Sequence, residues 1–160
     1  MVFRDLTEKE VEKLLPEIDS YNKNLYYSRM NFKKNFGCGC KYIGCFDETR
    51  CVALMSISED SPNKGLVYFR ELASFIPGHE YGIALLKHAL KKYKNAWLLS
   101  NPVSGEKLAK NYRKIPELTE YVIPKSGFEN LDLHFFHTIT DKEKETQLIE
   151  FLHGVWKSEN

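Results

Sequence analysis

Residues 66–100 constrain the fold more than any other stretch of this chain. Leu66–Ile76 is a long run of strand-forming residues, entered through Ser61-Pro62-Asn63-Lys64-Gly65 and closed by Pro77-Gly78. Tyr81–Lys94 then reads as a helix, because Ile83, Leu86, Leu90 and Tyr93 form one stripe with lysines opposite. Ala96–Ser100 is a short apolar strand. A strand, a glycine turn, a helix and a second strand in succession call for a sheet with a helix laid on its face.

The flanking sequence completes the pattern. Met1–Arg4 is a short first strand. Thr7-Glu8-Lys9-Glu10 is a capping box, in which the Thr7 hydroxyl takes a backbone N–H and Glu10 reaches back. Val11, Leu14, Leu15 and Ile18 follow at helical spacing, and Pro16 is expected to bend or stop that helix near Leu15. A short second helix is expected around residues 28–34. Lys41–Asp47 and Cys51–Ser58 flank Glu48-Thr49-Arg50 as a hairpin. Ser104 can cap a helix running to Ile115, with Leu108, Tyr112 and Ile115 on one face and Pro116 as its stop. Leu118–Ile123 and Asn130–Thr138 are two more strands. Thr140-Asp141-Lys142-Glu143 reads as a second capping box, opening a helix with Leu148, Ile149, Leu152, Val155 and Trp156 in register. The order is β-α-α-β-β-β-α-β-α-β-β-α, an α/β chain with a mixed sheet flanked by helices. No repeat or linker interrupts it, so residues 1–160 are expected to form one domain.

Composition narrows the function. The net charge of +1 does not mark the chain as a polyanion binder. No apolar stretch approaches the roughly 18 residues of a membrane helix, and MVFRDLTEKE lacks the features of a signal peptide. No membrane partner and a cytoplasmic location are expected. The charge is unevenly spread. Lys87, Lys91, Lys92, Lys94, Lys107, Lys110, Arg113 and Lys114 face Glu106 alone within residues 87–114, which suggests a local anion site. Because those lysines are spread over two helices, nucleic acid is not the expected ligand. Cys38, Cys40, Cys45 and Cys51 crowd one corner at a spacing without a zinc knuckle, so reduced thiols and no metal are expected. His134 and His137, three apart in a strand, point to opposite faces and cannot share a metal. His79, His88 and His153 stand singly.

The turn at 77–82 carries the chemistry. A strand that runs through a turn holding Gly78 and Gly82 into a helix aims free backbone N–H groups at an anion, and the helix dipole favours phosphate there. GxxxxGK[ST], GxGxxG and GxSxG motifs are all missing. The segment Pro-Gly-His-Glu-Tyr-Gly followed by Ile-Ala-Leu-Leu-Lys-His-Ala-Leu resembles the signature turn of the GCN5-related N-acetyltransferase (GNAT) family, Arg/Gln-x-x-Gly-x-Gly/Ala, which cradles the pyrophosphate of acetyl-coenzyme A. Gly82 matches the last glycine. Pro77 stands where Arg or Gln is usual, and Glu80 stands where the first Gly is usual, adding negative charge beside the phosphates. The resemblance covers residues 40–138 by element order.

That resemblance implies a splayed mixed sheet, opening between the fourth and fifth strands, with an extra C-terminal helix. It implies an acetyl-CoA-dependent N-acetyltransferase that uses acetyl-CoA as co-substrate and a small-molecule or peptide amine as acceptor. Glu71 is the candidate general base. Strand alternation puts it on a face with Val67, Phe69, Ala73 and Phe75, where desolvation raises a carboxylate's pKa. Tyr112 is the candidate general acid, from Leu-Ala-Lys-Asn-Tyr-Arg-Lys (108–114). Backbone groups of Ser74, Phe75 and Ile76 are expected to meet the pantetheine amides. Gly78, His79, Glu80, Tyr81, Gly82 and Ile83 form the phosphate turn, Asn101 is a further coenzyme contact, and Lys107, Lys110, Arg113 and Lys114 are candidates for the phosphates. Tyr21, Tyr26, Tyr27, Phe32 and Phe36 either wall an acceptor pocket or cover the sheet. The C-terminal helix packs on its own sheet or on a second copy, as in a homodimer. The departures at Pro77 and Glu80 keep a second reading open, a non-catalytic module with the same fold.

Overall fold

The computed structural model describes residues 1–21, 26–100, 105–125 and 130–157. Its elements are β1 (Val2–Leu6), α1 (Glu8–Tyr21), α2 (Tyr26–Lys34), β2 (Lys41–Asp47), β3 (Arg50–Glu59), β4 (Val67–Ser74), α3 (Tyr81–Lys92), β5 (Ala96–Leu99), α4 (Gly105–Tyr112), β6 (Thr119–Ile123), β7 (Leu133–His137) and α5 (Lys142–Lys157). The order is the one read from the sequence. One seven-stranded sheet runs β1-β2-β3-β4-β5-β7-β6. β1–β2, β2–β3, β5–β7 and β6–β7 pair antiparallel. β4 pairs parallel with β5, as Val67↔Ala96 and Tyr68↔Trp97. That parallel pair follows from the sequence, since a strand that returns through a helix re-enters the sheet in the same direction. No described helix is long and apolar enough to cross a membrane.

The fold divides into two compact units that interleave along the chain. The first is Met1–Ser58 with Phe69–Lys92, and the second is Glu59–Tyr68 with Tyr93–Asn160. In the first, Leu6, Val11, Leu15, Phe32, Tyr42, Phe46, Leu54, Ala73 and Phe75 form the core. Each is an apolar position of its element's period, so burial fixes which face α1 and α2 turn inward. Phe32 lies in this core and Phe36 packs against it, so both cover the sheet. The side chains of Tyr21, Tyr26 and Tyr27 lie outside the described residues. In the second unit, Leu66, Trp97, Ile123, Leu133, Phe135, Ile139, Leu148 and Leu152 cluster. α5 therefore packs on its own sheet through Leu148 and Leu152, while Phe151 and Val155 remain exposed.

Local signals held at one cap and shifted at another. Glu10 N–H donates to Thr7 Oγ1 and Thr7 N–H to Glu10 Oε1, both at 3.2 Å, which closes the expected capping box. At α5 the cap is Asp141, not Thr140: Lys144 N–H donates to Asp141 Oδ1 at 3.0 Å and Glu145 N–H to the Asp141 carbonyl. A carboxylate accepts more strongly than a hydroxyl at that end of the dipole. Of the bend or stop expected at Pro16, the stop does not occur, since α1 continues through it to Tyr21. Pro16 and Glu12 are exposed while Val11 and Leu15 are buried. The Glu12 carbonyl that Pro16 leaves without a donor therefore faces water, which satisfies it, while the buried side keeps the helix in place.

Candidate coenzyme turn and catalytic residues

In the first unit, β4 delivers both the candidate base and the turn. Its burial alternates as expected: Val67, Phe69 and Ala73 are buried, Arg70 and Ser74 exposed. Glu71 shares the inward face and is half-buried. Its Oε2 accepts a hydrogen bond from Asn31 Nδ2 of α2 at 3.1 Å. Just past the end of α2, Asn35 Oδ1 accepts from Arg70 Nε at 3.0 Å. Neither asparagine was singled out from sequence, because nothing local links residues 31 and 35 to residues 70 and 71.

Past β4 the backbone turns sharply. Phe75 N–H donates to the Val52 carbonyl at 2.9 Å, and the Phe75 side chain is core. The Phe75 N–H is thus taken up inside the sheet. By strand alternation the backbone groups of Ser74 and Ile76 point to the other edge. Gly78 has φ +84°, where only glycine sits without strain. Gly82 is different: its φ is ordinary, and a Cβ there would sit 3.4 Å from Ser74 Cβ, an ordinary contact distance.

Glu80 stands in the left-handed region at φ 53°. That position demands the conformation glycine supplies in the resembled motif, and here a glutamate adopts it. The Glu80 carbonyl accepts the Ala84 N–H at 3.1 Å, the first bond of the α3 ladder. Tyr81, Gly82 and Ile83 N–H therefore have no acceptor within the helix. These three donors at the positive end of a dipole form an anion cradle. His79 stacks on Tyr81 with ring centroids 5.3 Å apart. Tyr81 Oη donates to Asp47 Oδ2 at 3.1 Å, and that bond pushes the phenol's pKa up. The backbone thus fits a diphosphate, while Glu80 is the one side chain of the turn that opposes it.

In the second unit, Tyr112 ends α4. It is 6% exposed, and its ring meets Phe136 edge-on at 5.1 Å. Ile115 beside it is buried and Leu108 half-buried, so the expected stripe is present. Asn101 and Ser104 lie outside the described residues. Arg113 is committed elsewhere. Its Nε and Nη2 grip Glu120 at 2.7 and 2.8 Å, and this clamp holds the Glu120 carboxyl below its ordinary range. The Glu120 Oε1 lies 2.6 Å from His134 Nδ1, and Glu106 Oε1 lies 3.4 Å from His134 Nε2. Sequence reading missed this chain of charges. Its only local signal is the hairpin register Val122↔His134 and Glu120↔Phe136, which sets Glu120 on the face of His134. His137 sits on the other face, near Glu145. His88 stacks on Phe3, and His153 hydrogen-bonds Tyr121 Oη. Among the described residues no group of three or more His, Cys, Asp or Glu is placed to hold a metal.

Taken together, the element order, the mixed open sheet and the glycine turn entering α3 define the fold of the GNAT acetyltransferases. Solved structures bear out that class. A ribosomal-protein-alanine N-acetyltransferase from Brucella melitensis superposes with a TM-score of 0.58 at 16% identity, covering 87% of this chain and 99% of its own. A Bacteroides thetaiotaomicron protein assigned to the GNAT acetyltransferases gives 0.59 at 18% identity, covering 96% of each chain. An aminoglycoside 6'-acetyltransferase of type Ii gives 0.64 at 12% identity, covering 88% and 99%. No family model matches the sequence, and no curated protein matches it either.

Proposed function

We propose that this protein transfers the acetyl group of acetyl-CoA to a primary amine by direct attack in a ternary complex. The observation that carries the reading is the turn into α3, where Gly78 and Glu80 hold left-handed geometry and the first helix bond, Ala84 N–H to the Glu80 carbonyl, leaves three N–H groups ahead of it without a helical acceptor. Acetyl-CoA supplies the activated acetyl group. Tyr81, Gly82 and Ile83 N–H bind its diphosphate, with the Gly78–Glu80 bend shaping the approach. Ser74 and Ile76 backbone groups line the pantetheine arm.

Glu71 takes the proton from the acceptor amine. Its partner Asn31 donates to one carboxylate oxygen and so orients the other. Tyr112 gives a proton to the departing thiolate, its ring buried and its hydroxyl the reactive tip. The acceptor is an amine on a small molecule or a peptide, as the names of the aminoglycoside and ribosomal-protein-alanine enzymes illustrate for their own substrates.

Calorimetry with acetyl-CoA tests the first step; no heat at millimolar ligand removes the reading. A screen of amines with thiol-release detection then tests the second. Glu71→Gln and Tyr112→Phe are each expected to lower turnover at least tenfold while coenzyme affinity stays within threefold. Glu80 and Pro77 favour one other reading, a ligand-binding module of the same fold without chemistry. Coenzyme binding with no effect of either substitution on any amine would select it.

A further inference from the structure

Cys38-Gly39-Cys40 lies on the connection between α2 and β2 and has no part in acetyl transfer. All four cysteines carry free thiols. Cys45 and Cys51 are buried in β2 and β3, and burial pushes both thiols up, Cys51 to about 12. That burial keeps them from reacting as thiolates. Cys38 is exposed and Cys40 half-buried.

The backbone between the two thiols suits a bond between them. Two Cα atoms with one residue between them are never more than ~7.6 Å apart. A bend at the middle residue brings them into the range of ~4.4–6.8 Å that disulfides occupy. Gly39 supplies the bend at φ +74°, and Gly37 has φ +79°. A Cβ at either glycine would meet nothing within 4 Å, while the Gly37 N–H donates to Glu8 Oε1 at 2.6 Å and anchors the start of the loop.

Polar groups converge on the same place. Cys40 Sγ is 3.5 Å from Ser58 Oγ. Ser58 Oγ accepts from Arg70 Nη1 at 3.2 Å, and Arg70 is steadied by Asn35. Tyr42 is 2% exposed, and its hydroxyl has no hydrogen-bond partner among the described residues. Burial first, then the charges of Cys40, Glu8 and Cys38, push this phenol up to about 12. Lys33, Lys34 and Lys41 are exposed around the loop and favour an anionic reagent.

We infer that Cys38 and Cys40 are a redox-active dithiol that closes to an intramolecular disulfide by exchange with a small anionic disulfide. The exposed Cys38 thiolate attacks one sulfur of the small disulfide. That S–S bond breaks, one small thiol leaves, and Cys38 carries a mixed disulfide. The Cys40 thiolate then attacks Cys38 Sγ, forming the Cys38–Cys40 bond and expelling the second small thiol. The two protein thiols are oxidised, the small disulfide is reduced, and the two cysteine protons end on the released thiols.

The test is equilibration of the full chain with oxidised and reduced glutathione over a range of ratios, followed by alkylation and mass mapping. The intact mass is expected to fall by two hydrogens, with Cys38 and Cys40 losing their labels while Cys45 and Cys51 keep theirs. Cys40→Ser is expected to stop at a glutathione adduct on Cys38. A persistent adduct in the unaltered chain, a bond mapped to Cys45 or Cys51, or labels retained at 38 and 40 at every ratio overturns the proposal. None of these readouts depends on acetyl-CoA, so the outcome is separable from the acetyl-transfer reading.

Discussion

Removing the charge of Glu80 should tighten coenzyme binding, by an amount that salt can erase. Glu80 is exposed, and its carbonyl accepts the first bond of the α3 ladder, so its side chain stands beside the N–H groups assigned to the diphosphate. Two like charges ~8 Å apart in water repel by ~0.5 kcal/mol. A diphosphate carries about two charges, so the penalty at low salt is ~1 kcal/mol, or about fivefold in Kd. At ~0.15 M salt the Debye length is itself ~8 Å, which leaves about a third of that and less than a twofold effect. Glu80→Gln keeps the shape and removes the charge. It also removes a carboxylate that favours the helix N-terminus by ~0.3–1 kcal/mol, so a slightly lower Tm should accompany the tighter binding. Glu80→Gly separates the two effects. Relief of the left-handed glutamate, ~1 kcal/mol, roughly cancels the ~0.5–1 kcal/mol that glycine's freedom costs. Calorimetric titrations with acetyl-CoA at low and at physiological salt read both. Equal Kd values for the unaltered chain and Glu80→Gln at low salt would refute the placement of the diphosphate at this turn.

Two further expectations concern stability. His137 is buried and its Nδ1 accepts the Ile139 N–H at 3.0 Å, so the neutral ring carries its proton on Nε2, toward Glu145. Burial pulls its pKa below the ordinary 6.5, with Glu145 pulling partly back. The unfolded chain therefore binds this proton at a higher pH than the folded one, and stability falls as pH drops from 6.5 toward the lower folded value. Urea midpoints at pH 7.5 and 5.5 should differ less in His137→Asn than in the unaltered chain; an undiminished difference would assign the acid sensitivity elsewhere. Gly44→Ala places a Cβ 2.7 Å from Phe46 Cε2 and 2.9 Å from Leu6 Cδ1. Overpacking of this kind costs ~1–3 kcal/mol, read as a lower urea midpoint at unchanged slope, and a loss under ~0.5 kcal/mol would show that the β1–β2 face repacks freely.

The parts of this protein legible in sequence are those whose physics acts within a few residues. Lys41–Asp47 was bounded correctly because both ends are marked, by Cys38–Cys40 glycine geometry before and a polar turn after. The Thr7–Glu10 box spans three residues and closed as read. The turn at 77–82 was found because glycine, then helix periodicity, follow one another along the chain. The stop at Pro16 failed because a proline's cost depends on whether the orphaned carbonyl faces water, which is set by the burial of Val11 and Leu15.

What a candidate residue touches was decided elsewhere. Alternation along β4 turned Glu71 inward, but its partner Asn31 lies 40 positions away. The pairing of β7 between β5 and β6 set His134 against Glu120, the same carboxylate that Arg113 grips. The hydrogen bond of Phe75 to Val52 withdrew an amide that a strand, read alone, leaves available. Periodicity and capping are short-range energies and are written in neighbouring letters. Strand order and the meeting of distant polar groups depend on how the whole sheet buries its apolar faces, and only the tertiary structure settles that.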